Sequence, residues 1–495
     1  MARAKEKPAF ETPPIGDGPS GGTRPHYSWG IWLLVSVALL LPCFWQPRIQ
    51  SIDLSSHIYN AWLTLLITQN QAPGLWIAHQ SNNVLFDLML DWLLPRCGAA
   101  ATQRIAVATA VLVFSWGAIL LISRCRPRNW WFVLPSVAVL SYGFIFHVGL
   151  FNFYLGLGIC FWYLALFFSG RWQRRLLLTP LLALAWLAHP LPVVWAAGLA
   201  IYTAVAERLP AQARVLLAGS AVVVLLGVHF WLKVAYHGVW SIDQAWFFTG
   251  ANQLLVFDRK YSLPYALLLA GWVMMLWRLV KERRFRVVVG ELAFQRWFLA
   301  AAAVAMIPAI ITFPQYALPL SFVSSRLSLA AGVVLAALLA EAQLKHPEKA
   351  ILTLSALIFF GFLFRDAQEF NRIEDRVDAA VAQLPSHSRV IGFLRVPSKR
   401  IPPLLHAVDR ACIGHCFSYA SYEPSSRQFR VRVGDENRIV MADYNDVASV
   451  ETGEYMVQAA DLPAFLVYLC GPDQQQVCSH ELHEGEVIQA VAPAH

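Results

Sequence analysis

Apolar segments of membrane-crossing length recur through most of this chain, separated by short clusters of arginine and lysine. A crossing helix takes roughly 17 to 25 mostly apolar residues, because in lipid every backbone polar group must be satisfied within the segment. Such segments are expected near residues 28–45, 105–123, 130–148, 153–169, 176–189, 190–206, 215–233, 263–280, 295–312, 327–341 and 350–364. Composition agrees, since 57% of the 495 residues are hydrophobic and only 14% charged, more apolar than a soluble domain can bury. A polytopic α-helical membrane protein of about 11 transmembrane helices is the expected fold. Residues 1–27 are polar and rich in proline and glycine, which suits a disordered cytoplasmic tail. No small-residue cleavage motif follows the first apolar segment, so that segment is expected to remain as an anchor.

One segment is ambiguous. NVLFDLMLDWLLPRCG (residues 83–98) carries Asp87 and Asp91 one turn apart, and each carboxylate at bilayer depth costs roughly 2.5–3.5 kcal/mol on the insertion scale. It reads as an interfacial helix whose carboxylates face water. The positive-inside rule gives an independent check. If this helix does not cross and the N-terminus is cytoplasmic, the basic clusters all fall inside: Arg124, Arg126 and Arg128; Arg171, Arg174 and Arg175; Arg208 and Arg214; Lys281, Arg283, Arg284 and Arg286; Lys345 and Lys349. Counting residues 83–98 as a crossing would send them all outside. The net charge of +8 is therefore a topology signal and does not point to nucleic acid.

After about Arg365 the texture turns polar, with the strand-like runs FRVRV (residues 429–433) and RIVMA (residues 438–442). Residues 28–366 are expected to form the transmembrane domain. Residues 367–495 are expected to form a small α+β domain on the exterior face, periplasmic if the membrane is the inner membrane of a Gram-negative envelope. Cys43, Cys97, Cys125 and Cys160 lie in or beside apolar segments and read as packing residues. Cys412, Cys416, Cys470 and Cys478 lie in the exterior domain, where two disulfides are expected with three pairings open. A zinc site using His415 and His480 is the alternative.

Polar groups gather on the exterior side. In SIDLSSHIYNAWLTLLI (residues 51–67), Asp53, His57, Asn60 and Thr64 share one stripe and Ile58, Trp62, Leu65 and Leu66 another, the pattern of an amphipathic interfacial helix. Asp53 fits a helix N-cap ahead of Leu54, a group facing a cavity, or both. HVGLFNFYLGLG (residues 147–158) adds His147 and Asn152, and AHPLP (residues 188–192) adds His189. The loop over residues 236–261 adds Asp243, Asp258, Arg259 and Lys260, and FPQYALPLSFVSSR (residues 313–326) ends at Arg326. Glycines and prolines interrupt helices here, which is tolerated where backbone is buried in protein or lines a wet cavity. A cavity open to the exterior is expected. Plainer readings stand beside the functional ones: a helix break for His189, a satisfied imidazole for His147, a side chain reaching the headgroups for Arg326, and a solvated loop for Asp258, Arg259 and Lys260.

The order of these features, a first span, an exterior loop opening with an acid (QPRIQSIDLSSH) and interfacial helices before the second span, resembles the GT-C superfamily of polytopic membrane glycosyltransferases. That superfamily includes protein O-mannosyltransferases, lipid A aminoarabinose transferases and the catalytic subunits of oligosaccharyltransferases. The likeness covers roughly residues 28–366 in architecture and rests on Asp53 and its flanks. It implies transfer of a sugar from a polyprenyl-phosphate donor to a glycan, lipid or protein acceptor, with Asp53 as catalytic base and His57 assisting. The leaving phosphate would be met by Arg259, Lys260 or Arg326, for which arginine is well suited. A divalent metal is admitted by the resemblance, although HVGLFNFYLG offers His147 and Asn152 where many members carry a second acid. No GxxxxGK[ST], HExxH or GxSxG motif occurs, so ATP hydrolysis, zinc proteolysis and serine hydrolysis gain no support. The alternatives are a transporter or flippase of lipid-linked glycans and a non-catalytic envelope assembly protein. The sequence shows no internal repeat of the kind many transporters carry.

Overall fold

The computed structural model describes residues 29–125, 130–169, 178–283, 285–312, 320–342, 344–396, 399–471 and 476–489. The tail 1–27, residues 313–319 ahead of Arg326, and Arg126, Arg128, Arg171, Arg174, Arg175 and Arg284 of the basic clusters lie outside them. The described chain is mostly helical, with a small sheet region near its C-terminal end. Among the described residues, five helices are long and apolar enough to cross a membrane: Leu85–Arg124, Phe151–Phe168, Ala211–Ala235, Arg259–Arg283 and His346–Val381. Shorter apolar helices, Trp29–Cys43, Leu134–Val148, Thr179–Ala188, Pro190–Ala206, Leu292–Met306 and Val323–Leu339, occupy the other expected places.

These helices differ in what surrounds them. Ala211–Ala235 leaves Leu216, Val223, Val224, Phe230, Trp231 and Val234 exposed, a surface compatible with lipid contact and poorly suited to water. Val323–Leu339 is the opposite case, with every residue buried except Arg326. An apolar helix buried all round belongs to the packed interior, and its one polar opening marks where that interior meets a cavity.

The helix Leu85–Cys125 breaks at Gly98, where φ is 72° and ψ 166°. The acidic first part and the long apolar second part are thus two helices in different directions, as the sequence leads one to expect at this point. The carboxylates, however, do not form a water-facing stripe. Asp91 pairs with Arg430 of the C-terminal region, and Asp87 turns inward toward Asn152 and His57. Partners distant in sequence stabilise both charges, so neither side chain is more than about a fifth exposed.

Residues Met1–Ala38 form one unit, whose described part is the start of the Trp29–Leu40 helix, and Leu39–His495 packs as a second compact unit. Within that second unit the helix His346–Val381 runs without interruption for 36 residues from apolar to polar sequence. The C-terminal sheet has Phe417–Ser418, Arg389–Phe393, Ala464–Cys470 and Gln476–Glu481 side by side, with the first three parallel and the last antiparallel. Its apolar face packs with Met441, Val447, Val450 and Tyr455 into a core. A strand in the first loop, Leu75–Ile77, pairs antiparallel with Val431–Val433, which ties that loop to the C-terminal region. Residues 431–433 thus form part of the strand expected over 429–433. RIVMA is not a strand: Ile439, Val440 and Met441 are buried in irregular backbone, where Asn437 Nδ2 donates to Val440 O at 2.6 Å and Oδ1 accepts from Ile439 N at 3.0 Å. The side chain of Asn437, with the bond from Met441 N to Tyr419 O at 2.7 Å, stands in for the ladder that a strand would need.

Cys412 is bonded to Cys416 and Cys470 to Cys478. The neighbouring histidines are engaged elsewhere, His415 Nε2 with Leu384 O at 2.9 Å and His480 Nε2 with Glu486 at 2.7 Å, so the zinc arrangement is not the one found.

Candidate active site

The segment before Asp53 is held by the second exterior segment. Ser51 Oγ donates to Phe146 O at 2.8 Å, and His147 Nδ1 donates to Gln50 O at 2.7 Å. Gly149 closes the short Phe144–Val148 helix with φ 97°. A Cβ there would lie 2.7 Å from Asp53 N and 2.8 Å from Asp53 Cβ, so only glycine lets the two backbones approach this closely. His147 is therefore a buried positioning group, outside the cavity that Asp53 lines. Its plainer reading as a satisfied imidazole fits Nδ1; Nε2 is buried without a hydrogen-bond partner.

The helix carrying Asp53 spans Ile52–Thr68, with Ser51 at the N-cap position and Asp53 in the first turn. Asp53 is thus not the cap. Its side chain keeps about a fifth of its surface open to a cavity of about 310 Å³. Burial pushes its carboxyl up to about 6, against the opposing pull of the His57 and Arg326 charges.

His57, one turn later, lines the same cavity. Its Nδ1 lies 2.8 Å from Asp87 Oδ1 and 3.4 Å from Glu423 Oε1. Burial opposes the imidazolium, but the charges of Asp87, Glu423 and Asp53 outweigh it and hold the pKa well above the ordinary value. Glu423 is itself pushed up by burial and accepts from Ser56 Oγ at 3.1 Å. His57 is accordingly a fixed cation behind Asp53, poorly placed to accept a proton.

Asn152 and His189 also line the cavity. Asn152 is committed to structure: Oδ1 accepts from Phe86 N at 2.8 Å, and Nδ2 donates to Asp87 Oδ2 at 2.8 Å. His189 caps the Pro190–Ala206 helix, with Nδ1 accepting from Leu191 N at 3.1 Å. The helix break and the cavity position coexist in this residue. Arg326 faces the cavity with its Nε buried and lacking a hydrogen-bond partner, beside the Phe153 ring at 5.8 Å.

Asp258, Arg259 and Lys260 are not among the cavity residues. Asp258 Oδ1 accepts from Lys260 N at 3.1 Å, and Oδ2 lies 2.9 Å from Lys399 Nζ. Lys260 Nζ pairs with Asp366 at 2.5 Å. Here Asp258 and Lys260 are neither freely solvated nor part of the cavity wall, because Lys399 and Asp366 lock them to the chain on either side of the sheet region's start, whereas Arg259 is exposed. Burial opposes ionisation of Asp258, but the two lysines hold its carboxyl below the ordinary range.

The other wall of the cavity is formed by residues from beyond position 400: Leu405, His406, Tyr422, Gln428, Tyr444 and Glu451, among others. His406 is 6% exposed, and its Nε2 lies 3.9 Å from Asp53 Oδ1. The His-x-x-Asp spacing of His406 and Asp409 is the one readable signal for any of them. Glu451 is pushed up to about 7 by burial and by the Asp53 charge.

The described residues contain no group of three or more His, Cys, Asp or Glu side chains placed to hold a metal ion. The donor set thus does not fit a divalent ion held by protein side chains, and no step below uses one. No family model, curated protein or solved structure matches the chain.

Proposed function

We propose that this chain is a GT-C-like membrane glycosyltransferase that moves a sugar from a polyprenyl-phosphate donor to an acceptor on the exterior face. The observation that carries the reading is the cavity's mixed lining. Leu150, Phe151, Phe153, Leu320, Phe322, Leu405 and Phe429 are apolar, whereas Asn83, Ser321, Gln428, Tyr444 and Glu451 are polar. Asp53 and Arg326 belong to the same lining. That arrangement suits a ligand with a lipid tail, a phosphate and a polar head.

In the reaction, an acceptor oxygen attacks the anomeric carbon while its proton passes to Asp53. The bond from that carbon to the phosphate oxygen breaks, and its electron pair leaves with the polyprenyl phosphate. The unpaired Arg326 guanidinium stabilises the departing charge. His57 contributes a fixed positive charge that keeps Asp53 ionised before transfer. About 11 crossings, a cytoplasmic N-terminus and an exterior C-terminal region in the inner membrane complete the reading.

The same lining would suit a flippase of lipid-linked glycans. Proteoliposomes loaded with polyprenyl-phosphate sugars and supplied with a panel of sugar acceptors separate the two. Release of free polyprenyl phosphate is the result expected of a transferase. Intact donor moving between leaflets without cleavage would overturn it in favour of transport.

A further inference from the structure

His406 is the group the transfer chemistry above leaves unused. It is buried, packed against Tyr422 with ring centroids 5.1 Å apart and planes tilted by 31°, and open to the cavity. Neither ring nitrogen is within hydrogen-bond reach of its nearest carboxylate: Nε2 lies 3.9 Å from Asp53 Oδ1, and Nδ1 lies 3.6 Å from Asp409 Oδ2. Asp409 Oδ2 is buried and lacks a hydrogen-bond partner, while Oδ1 accepts from Ser418 Oγ at 2.5 Å. The His406 nitrogens are not among the sealed polar atoms without a partner, so the imidazole is open to a ligand in the cavity.

The gap has a definite size. An oxygen placed about 2.8 Å from both Asp53 Oδ1 and His406 Nε2 would see them at an angle of roughly 90°, within the range a hydroxyl tolerates between two partners. We propose that the acceptor is a sugar whose attacking hydroxyl sits between Asp53 and His406, donating to the carboxylate and accepting from His406 Nε2–H. The proposal rests on the glycosyl-transfer reading and names its acceptor class.

Electrostatics agree with this assignment. Burial and the nearby His57 charge push His406 down to about 3, so the ring stays neutral and carries one N–H. Burial pushes Asp409 up to about 7, and with no hydrogen bond at Nδ1 the single ring hydrogen is free to sit on Nε2, where the acceptor hydroxyl needs it. A hydroxyl both donates and accepts, matching this pair, whereas an ammonium only donates and would leave Nε2–H unmet. Tyr422 and Tyr444 offer ring faces, and Gln428 and Glu451 offer polar contacts, for the rest of the sugar. In the transfer step the hydroxyl proton moves to Asp53, the new bond forms from that oxygen to the anomeric carbon, and His406 keeps its own proton throughout.

The test uses the full chain in lipid nanodiscs and direct binding of methyl glycosides of several hexoses, with ethanolamine as an amine probe. At least one glycoside is expected to bind saturably, and His406→Ala and His406→Gln are expected to raise its Kd about tenfold or more. No glycoside binding, equal Kd in wild type and variants, or His406-dependent binding of ethanolamine would each overturn the proposal. Should the variants fold poorly, wild type alone decides: bound glycoside is expected to slow acylation of His406 by diethyl pyrocarbonate, read by mass spectrometry, and absence of protection overturns it. Because binding needs no donor, failure of donor cleavage would count against the transferase reading separately.

Discussion

Replacing Gly149 with alanine tests whether the geometry of Asp53 is held in the way described. The new methyl would lie 2.7 Å from Asp53 N and 2.8 Å from its Cβ, so one backbone must retreat by several tenths of an ångström. At φ 97° alanine also bears a left-handed penalty of about 1–2 kcal/mol. Overpacking adds about 1–3 kcal/mol, giving a loss of about 2–5 kcal/mol in total. The atoms that must move belong to Asp53 itself, so the carboxylate moves with them. Misplacement of a reacting group by about 1 Å costs on the order of a hundredfold in rate, so a shift of half that size should cost about tenfold. Thermal unfolding and donor turnover, measured on the same preparation, check the two parts. A variant matching wild type in both midpoint and rate would refute the packing of Gly149 on Asp53.

Acting as a base, Asp53 must be ionised, so kcat/KM should fall as pH drops through about 6, and a profile flat down to pH 4.5 would contradict its role. The sign for stability is opposite: a carboxyl raised to about 6 stabilises the fold below its unfolded value, and that contribution is lost as pH rises through about 6. Arg326→Ala should lower kcat by roughly 100- to 1,000-fold by removing one transition-state donor, whereas Arg259→Ala should remain near wild type; steady-state rates with a polyprenyl-phosphate sugar distinguish them. Loss of either disulfide should cost about 2–3 kcal/mol, since the closed loops are short, and denaturant midpoints of Cys412→Ser with Cys416→Ser and of Cys470→Ser with Cys478→Ser measure it.

The residues that could be read in advance are those whose meaning is local. Asp53 stands out because an acid directly follows an apolar segment, and Arg326 because it interrupts an apolar helix. Gly98 marks a helix end by composition alone. Residues whose role depends on distant partners were not legible. Asp258 and Lys260 look like a solvated loop until Lys399 and Asp366 are seen to bind them. Asp87 and Asp91 look like a wet stripe until His57 and Arg430 fill the space opposite. Tyr444 and Glu451 belong to no recognisable motif and His406 only to a His-x-x-Asp spacing, and the fold brings all three to Asp53 from more than 350 positions away. RIVMA has strand composition, but Asn437 serves Ile439 and Val440 and Tyr419 O accepts from Met441 N instead of a continuous ladder.

The most direct measurement is sugar release from radiolabelled polyprenyl-phosphate sugars by membranes carrying wild type or Asp53→Asn, matched in expression and folding. The account expects turnover of at least one donor by wild type and a loss of about 100- to 10,000-fold in the variant, the range for removal of a general base. Equal turnover by both proteins would contradict it and leave Asp53 a structural residue at the start of its helix.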